Sequence, residues 1–133
     1  MIYLVEDDSS IRELVIYALN STGLEAKGFE KPSEFWKAVE EEEPSLVILD
    51  VMLPEESGID VLKKIRSNPA IEKLPVIMET AKTSEYDRIN GLESGADDYI
   101  SKPFSMMEMV ARVKALIRRS EYKHEEKDYT INN

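Results

Sequence analysis

Several features are missing from the chain, and each absence excludes a class of protein. There is no cysteine, so disulfide bonds are excluded; this composition fits a reducing compartment, and we expect a cytoplasmic location. No apolar run approaches the roughly 20 residues that cross a bilayer, and Met1 leads into a strand without a basic segment or cleavage-like site. We therefore expect no signal peptide and no membrane partner. The single histidine, His124, lies in a polar tail, where a solvated residue is expected rather than a ligand.

Positive charge is also scarce. Lysine and arginine total 17 against 27 aspartates and glutamates, which gives a formal net charge of -10. A body this acidic is a poor candidate for direct contact with DNA or with an anionic membrane. The length of 133 residues fits one domain, and an apolar fraction of 42% argues against disorder of the whole chain.

Strand and helix patterns alternate five times along the chain. Strands are predicted over residues 2–5, 25–29, 46–50, 76–80 and 96–101. Helices are predicted from a cap at Ser9 or Ser10 to Gly23, from Pro32 to before Pro44, over residues 58–66, from Ser84 to Ser94, and over residues 105–119. Residues 120–133 are polar and are expected to form an exposed tail or the start of an interdomain linker.

This alternation predicts an α/β fold. Strands joined by single helices must cross over, so the sheet is parallel with right-handed connections, and helices cover both faces. A doubly wound five-stranded sheet in the flavodoxin-like order is the natural candidate, although the pattern alone does not determine strand order. We expect one domain over residues 1–119.

Three acids converge on one edge of this sheet. Asp50 closes the most apolar strand, and Glu6 and Asp7 follow the first strand. Two carboxylates about 4 Å apart repel by roughly 4 kcal/mol at an effective dielectric constant near 20, so a cation must share the site if both are ionised. Oxygen ligands at a half-open edge favour Mg²⁺. Each acid alone would more often cap a helix, and Asp8 is expected to face solvent near the first helix.

Two further strand ends add a hydroxyl and an ammonium group. Thr80 ends the fourth strand and Lys102 the fifth. Alone, the threonine would more often make a local hydrogen bond and the lysine would be a solvated charge. Together they could bind two oxygens of a phosphoryl group on Asp50, because an aspartate can act as a nucleophile and phosphoryl transfer depends on positioning and charge neutralisation.

At these residues the chain resembles the receiver domain of a two-component response regulator. The resemblance covers about residues 1–119, and its motifs keep the order and spacing of the family. The matching segments are residues 4–8 (LVEDD), 49–54 (LDVMLP), 80–82 (TAK), 95–100 (GADDYI) and 102–104 (KPF). The resemblance implies a cis peptide bond between Lys102 and Pro103.

The resemblance also implies a role for each site residue. Asp50 would be the phosphoacceptor, and Lys102 would pair first with Asp50 and then with the phosphoryl oxygens. Thr80 would bind the phosphoryl group, and Tyr99 would be the switch aromatic that turns inward; without the resemblance, Tyr99 would be taken as a half-buried strand residue. The ligands of Mg²⁺ would be Glu6, Asp7, Asp50 and the backbone carbonyl of Met52.

The end of the chain narrows the resemblance to the OmpR/PhoB type, whose members carry a C-terminal winged-helix DNA-binding domain. Residues 97–100, 102–104 and 111–119 carry this likeness. Active receivers of that type pair through the fourth helix, fifth strand and fifth helix. The matching charges here are Arg88 with Glu108, Asp98 with Arg112, and Asp97 with Arg119; on a surface, such ion pairs are worth little individually. A symmetric interface would use each pair twice.

One residue departs from the family pattern. The position before the threonine is usually apolar, and here it is Glu79. If Glu79 points into the core, it should lower stability or carry a raised pKa. If it points toward the acidic pocket, it adds negative charge beside Asp50. The sequence leaves both possibilities open.

We therefore expect a phosphorylation-driven switch rather than an enzyme. A sensor histidine kinase would donate the phosphoryl group to Asp50 with Mg²⁺ present, catalysis being limited to the domain's own phosphorylation and dephosphorylation. Homodimerisation would follow, and DNA binding would use a further domain. A haloacid-dehalogenase-like phosphatase would need an acid at Met52, a non-phosphorylated module would lose some site residues, and a flavin-binding protein would need a Ser/Thr-rich loop after the first strand.

Overall fold

The computed structural model describes residues 1–81, 89 and 94–132, and for residues 122–132 it describes the backbone alone. Within these ranges the strands are β1 (Ile2–Val5), β2 (Ala26–Phe29), β3 (Leu46–Asp50), β4 (Val76–Ala81) and β5 (Asp98–Lys102). The helices are α1 (Ser9–Ser21), α2 (Pro32–Glu41), α3 (Gly58–Ser67) and α4 (Met106–Asn132). The predicted helix from Ser84 to Ser94 lies largely outside the described residues, so α4 corresponds to the fifth predicted helix.

The five strands form one parallel sheet in the order β2-β1-β3-β4-β5. This is the flavodoxin-like order, and the predicted fold class is confirmed. The chain first moves outward from β1 to β2 and then returns to β3 on the other side. The carboxyl ends of β1 and β3 therefore border the crevice where open α/β sheets bind ligands.

The core has two layers because successive strand side chains point to opposite faces of the sheet. Leu49 packs on one face with Leu62 of α3 and with α2, and this is called the α2–α3 face. Ile48 packs on the other face with Leu19 of α1 and Met109 of α4, and this is called the α1–α4 face. Burial of each such side chain contributes about 1.5–3 kcal/mol to folding.

Most described boundaries lie within one or two residues of the prediction, and two of the differences have a clear physical cause. The cap of α1 is Asp8 rather than Ser9 or Ser10, since Asp8 Oδ1 accepts hydrogen bonds from the backbone amides of Ser10 (2.9 Å) and Ile11 (3.2 Å). Strand β5 begins at Asp98 instead of residue 96. The backbone amide of Val76, at the start of β4, donates to the Asp97 side chain at 2.8 Å. This amide is therefore not available to a backbone carbonyl at the predicted start of β5.

The end of the last helix was also wrong in the prediction. A helix over residues 105–119 was expected, but α4 continues to Asn132. Residues 120–132 contain neither proline nor glycine and include several glutamates and lysines, so nothing in their composition ends the helix. Within the part of the chain that the structure describes, no helix is both long and apolar enough to cross a membrane.

Candidate functional site

The strand ends bring most of the predicted site residues together at the carboxyl edge of the sheet. Asp50 ends β3, Lys102 ends β5, and Glu6 directly follows β1. Alternation along each strand places these three side chains on the α1–α4 face, two residues beyond Ile48, Ile100 and Leu4 respectively. The Lys102–Pro103 peptide bond that follows β5 is cis, as the resemblance implied.

Lys102 joins the two buried acids. Its Nζ donates to Asp50 Oδ2 at 2.6 Å and to Glu6 Oε1 at 2.7 Å. Burial alone would lower the pKa of Lys102, but the hydrogen bonds to Asp50 and Glu6 more than offset it, and the pKa is raised. The ammonium group is therefore a fixed positive charge between two carboxyl groups.

Glu6 is completely buried, and its ionisation is suppressed. Burial, followed by the close approach of the Asp50 carboxylate, raises the pKa of Glu6 to about 9, while the hydrogen bond from Lys102 opposes the rise. Among the described residues, Glu6 Oε2 has no hydrogen-bond partner. A buried oxygen in this position is available to a ligand of the pocket.

The acids offer a suitable donor set for a hard cation. One carboxylate oxygen from each of Glu6, Asp7 and Asp50 lies within 4.8 Å of the others, and Asp7 is exposed on the solvent side. The backbone amide of Met52 donates to Asp50 Oδ1 at 3.0 Å, which brings the main chain at Met52 beside the carboxylate. The buried, unpartnered Glu6 oxygen and the all-oxygen set both fit Mg²⁺.

Thr80 and Tyr99 lie on the opposite side of the sheet from this cluster. Alternation along β4 places Thr80 on the α2–α3 face with Met78, the register partner of Tyr99. Thr80 is buried, and its hydroxyl oxygen has no hydrogen-bond partner among the described residues. Tyr99 is already buried in the core in this structure. Thr80 thus lies one residue beyond the level of Asp50, as the next-to-last residue of β4, and Tyr99 lies on the neighbouring strand β5.

Glu79 lies in the core, which is the first of the two possibilities that the sequence left open. It is completely buried, and it is the register partner of Asp50, so both side chains lie on the α1–α4 face. Burial and the negative charge of Asp50 raise the pKa of Glu79 to about 8, against the opposing effect of Lys102. Neither of its carboxyl oxygens has a hydrogen-bond partner among the described residues. Glu79 is therefore a core residue that lies beneath the acidic pocket.

Four of the predicted interface residues make contacts within the chain. Arg112 binds both carboxylate oxygens of Asp98, at 2.9 and 3.1 Å, and also Glu108 at 3.2 Å. Asp97 is bound by Arg66 at 3.0 Å. Arg119 is exposed and has no ion pair among the described residues, and Arg88 lies outside them.

Sequence analysis missed the role of Arg66. Its guanidinium group also donates to the carbonyls of Gly95 (2.9 Å), Glu72 (3.0 Å) and Leu74 (2.7 Å). These bonds connect α3 to the loop before β4 and to the segment before β5. The available signal was its position in the last turn of α3, where a basic side chain is common for a different reason, the helix dipole. Nothing in the local sequence identifies carbonyl partners that are distant along the chain.

Comparison with known proteins places this arrangement in a family. The family model described as the response regulator receiver domain matches residues 2–114. The chain is 48% identical over 121 residues to the transcriptional regulatory protein GltR of Pseudomonas aeruginosa, covering 91% of this chain and 50% of GltR. It is 44% identical over 118 residues to the phosphate regulon transcriptional regulatory protein PhoB of Escherichia coli, covering 89% of this chain and 52% of PhoB.

Solved structures lead to the same result. A putative response regulator from Chloroflexus aurantiacus J-10-fl matches with a TM-score of 0.84 and 32% identity, over 88% of this chain and 96% of that one. NtrX from Brucella abortus matches with a TM-score of 0.88 and 27% identity, over 96% of this chain and 29% of NtrX.

The chain belongs to the response regulator receiver domain family and is of the OmpR/PhoB type. Receiver domains of this family are signalling domains rather than enzymes. The chain spans about half the length of the curated relatives that it matches.

Proposed function

We propose that this domain accepts a phosphoryl group on Asp50 from a phosphohistidine of a sensor histidine kinase. The observation that carries the proposal is the position of Lys102, which binds Asp50 and Glu6 together at the carboxyl edge of the sheet. In the reaction, a carboxylate oxygen of Asp50 forms a bond to phosphorus while the bond from phosphorus to the imidazole nitrogen breaks. The imidazole leaves as the neutral ring after taking up a proton, and Asp50 becomes an acyl phosphate.

The chain's own groups orient the nucleophile before transfer. Lys102 holds Asp50 Oδ2, and the Met52 amide holds Asp50 Oδ1, so the carboxylate cannot rotate freely. After transfer, Lys102 is the cation placed to bind a phosphoryl oxygen in exchange for its present partners. The hydroxyl of Thr80, which is buried on the other face of the neighbouring strand, would move toward the phosphoryl group to supply a further donor.

The acidic residues that would hold Mg²⁺ are Glu6, Asp7 and Asp50, together with the backbone carbonyl of Met52. When bound, Mg²⁺ neutralises the charge that accumulates between the carboxylates and the incoming phosphoryl group. Binding requires ionised carboxylates, so it would compete with the protonation of Glu6 that burial favours.

The new charge would be transmitted through Thr80 and Tyr99 to the surface formed by β5 and the start of α4. A shift in the population of two states there would favour a homodimer, with the charged residues on this surface as contacts. The proposed interface residues are Arg88, Asp97, Asp98, Glu108, Arg112 and Arg119. Arg112 could serve such an interface because it already lies between two acids.

The curated relatives carry sequence beyond the part that this chain matches. GltR and PhoB are named as transcriptional regulatory proteins, and the chain matches about half of each. DNA binding would use a C-terminal domain, and residues 120–133 would form the start of the linker to it. The protein would be located in the cytoplasm.

A helix of the kinase could approach Asp50 over an apolar cavity of about 460 Å³ that Ile11, Leu14, Phe104 and Met106 help to line.

Fluorine NMR with beryllofluoride and Mg²⁺ tests the proposal. Beryllofluoride mimics a phosphoryl group on a carboxylate, so bound resonances should appear for the natural chain and be absent from Asp50→Asn. Glu72→Gln, which removes an exposed carboxylate far from the cluster, should bind as the natural chain does. Bound resonances that persist in Asp50→Asn would show that another residue is the acceptor.

A further inference from the structure

The N-terminus of α2 is capped from outside its own segment. Its capping position, Lys31, makes no side-chain capping bond. Instead, Glu55 accepts hydrogen bonds from the Ser33 amide (2.9 Å) and from the Ser33 hydroxyl (3.0 Å), 22 residues away along the chain. The amide hydrogen bond lowers the pKa of Glu55, which keeps the carboxylate charged at the positive end of the helix dipole.

Glu55 adopts a backbone conformation that favours glycine. Its φ is +70°, in the left-handed region, and a side chain there costs about 1 kcal/mol or more. Such a conformation persists only where surrounding contacts hold it. The two hydrogen bonds to Ser33 are contacts of this kind, so the side chain of Glu55 has a positional role.

The next residue makes a second contact with the same helix. Glu56 Oε2 accepts a hydrogen bond from the indole nitrogen of Trp36 at 3.1 Å, and Glu56 Oε1 pairs with Lys64 of α3 at 2.9 Å. The loop between β3 and α3, residues 51–57, is therefore fixed to α2 at two adjacent residues and to α3 at one. Trp36 is the only tryptophan of the chain.

Both ends of this loop are fixed beside Asp50. At its start, the Met52 amide binds Asp50 Oδ1. At its end, the Gly58 amide donates to the Val51 carbonyl at 2.9 Å, and a Cβ on Gly58 would lie 2.0 Å from the Asp50 carbonyl oxygen. Both ends of the loop are thus held beside Asp50. A displacement of the backbone at Met52 should therefore also move Glu55, three residues further along the same short loop.

We propose that Glu55 and Glu56 are positioning residues of the Asp50 site, which hold the Met52 backbone in place for a divalent cation by anchoring the loop to α2. The inference rests on the proposed function, since the cation is the one that the acidic cluster would take. Coupling between two positions is reciprocal, so the occupied site also acts on the N-terminus of α2. Trp36, hydrogen-bonded to Glu56, is the natural reporter of that effect.

A fluorescence titration of Trp36 with Mg²⁺ at constant ionic strength tests the proposal. The natural chain should show a saturable change in emission. A Glu55→Gly, Glu56→Ala double variant keeps a residue suited to positive φ but removes both anchors; it should lose most of the amplitude and bind Mg²⁺ about 5-fold more weakly by calorimetry. Glu55→Gln, which retains an acceptor oxygen, should restore part of the response when paired with the natural Glu56.

Glu34→Ala is the matched control, because Glu34 is an exposed acid in the first turn of the same helix. It should respond as the natural chain does. A silent Trp36 in the natural chain, or a full response and unchanged Mg²⁺ affinity in the double variant, would overturn the proposal. Intact mass after acetyl phosphate treatment is measured in parallel. A chain that responds to Mg²⁺ through Glu55 and Glu56 but gains no phosphoryl group would contradict the proposed function and leave the positioning role supported.

Discussion

Asp50 and Glu79 are register partners on adjacent central strands, and both side chains lie on the α1–α4 face of the sheet. One is the proposed phosphoacceptor, and the other is a completely buried carboxyl group with a pKa of about 8. An apolar residue at position 79 would avoid the burial of a carboxyl group. Burial of Glu79 should therefore make the free energy of unfolding depend on pH.

Glu79→Leu should stabilise the domain more at pH 8 than at pH 5. Between the ordinary glutamate pKa and about 8, the unfolded chain loses its proton while the folded chain retains it, so folding stability falls as pH rises through this window. The difference can reach a few kcal/mol, at ~1.4 kcal/mol per pKa unit. Urea unfolding of both proteins at several pH values measures it. Glu72→Leu, at an exposed position, should leave the slope unchanged.

Lys102→Met should separate metal binding from phosphorylation. Removal of the ammonium group takes a positive charge out of a pocket of carboxylates, so Mg²⁺ should bind roughly 10-fold more tightly, which corresponds to ~1.4 kcal/mol. Phosphoryl incorporation should nevertheless slow by about 100-fold or more, because the oriented cation is lost. Calorimetry and timed intact-mass measurements test the two effects. Lys73→Met, an exposed lysine, serves as control; a decrease in both properties of Lys102→Met would argue against this role.

Asp8→Ala should destabilise the domain by about 1 kcal/mol without loss of phosphoryl incorporation. Asp8 accepts two amide hydrogen bonds at the start of α1, and loss of such a cap typically costs about that much. Ser9→Ala should have little effect, because Ser9 is the first helical residue rather than the cap. Urea denaturation compares the two variants. A larger loss in Ser9→Ala would contradict the assignment of Asp8 as the cap.

Arg119 and Arg66 should affect different properties: Arg119 the proposed dimer, and Arg66 the stability of the monomer. Arg119→Ala should weaken the proposed dimer formed with beryllofluoride while leaving monomer stability unchanged, since Arg119 has no ion pair among the described residues. Arg66→Ala should lower monomer stability, because it removes bonds to Asp97 and three carbonyls. Light scattering after size exclusion, together with thermal unfolding, distinguishes the two. A dimer unaffected by Arg119→Ala would place the interface elsewhere.

Sequence reasoning reached the fold because its signals are local and periodic. The apolar run that ends in Asp50 and the alternation with helices predicted β3 and the parallel sheet. The flavodoxin-like strand order was the natural candidate for such an alternation, although the pattern alone did not determine it. The same reasoning predicted that Glu6, Asp50 and Lys102 lie close together, because the carboxyl ends of parallel strands meet at one edge of the sheet. It could not show that Lys102 bonds both acids, since that depends on the side-chain geometry of distant segments.

The remaining features depend on contacts between segments far apart in sequence. The bond from Ser33 to Glu55 and the bonds of Arg66 to Gly95 join elements with no local pattern in common. Asp8 and two serines were all possible N-terminal caps of α1, and the local backbone geometry determines that Asp8 is the cap. The predicted helix ended at residue 119 because the segment that follows is polar and charged, but that segment contains no helix breaker and α4 continues to Asn132.

Intact mass after incubation with acetyl phosphate and Mg²⁺ tests the central claim most directly. The natural chain should gain the mass of one phosphoryl group, the gain should require Mg²⁺, and Asp50→Asn should gain nothing. Asp60→Asn, an exposed acid near the start of α3, should be modified as the natural chain is. An unmodified natural chain, under conditions that label another receiver domain, would contradict the assignment of Asp50 as the phosphoacceptor, and so would equal modification of Asp50→Asn.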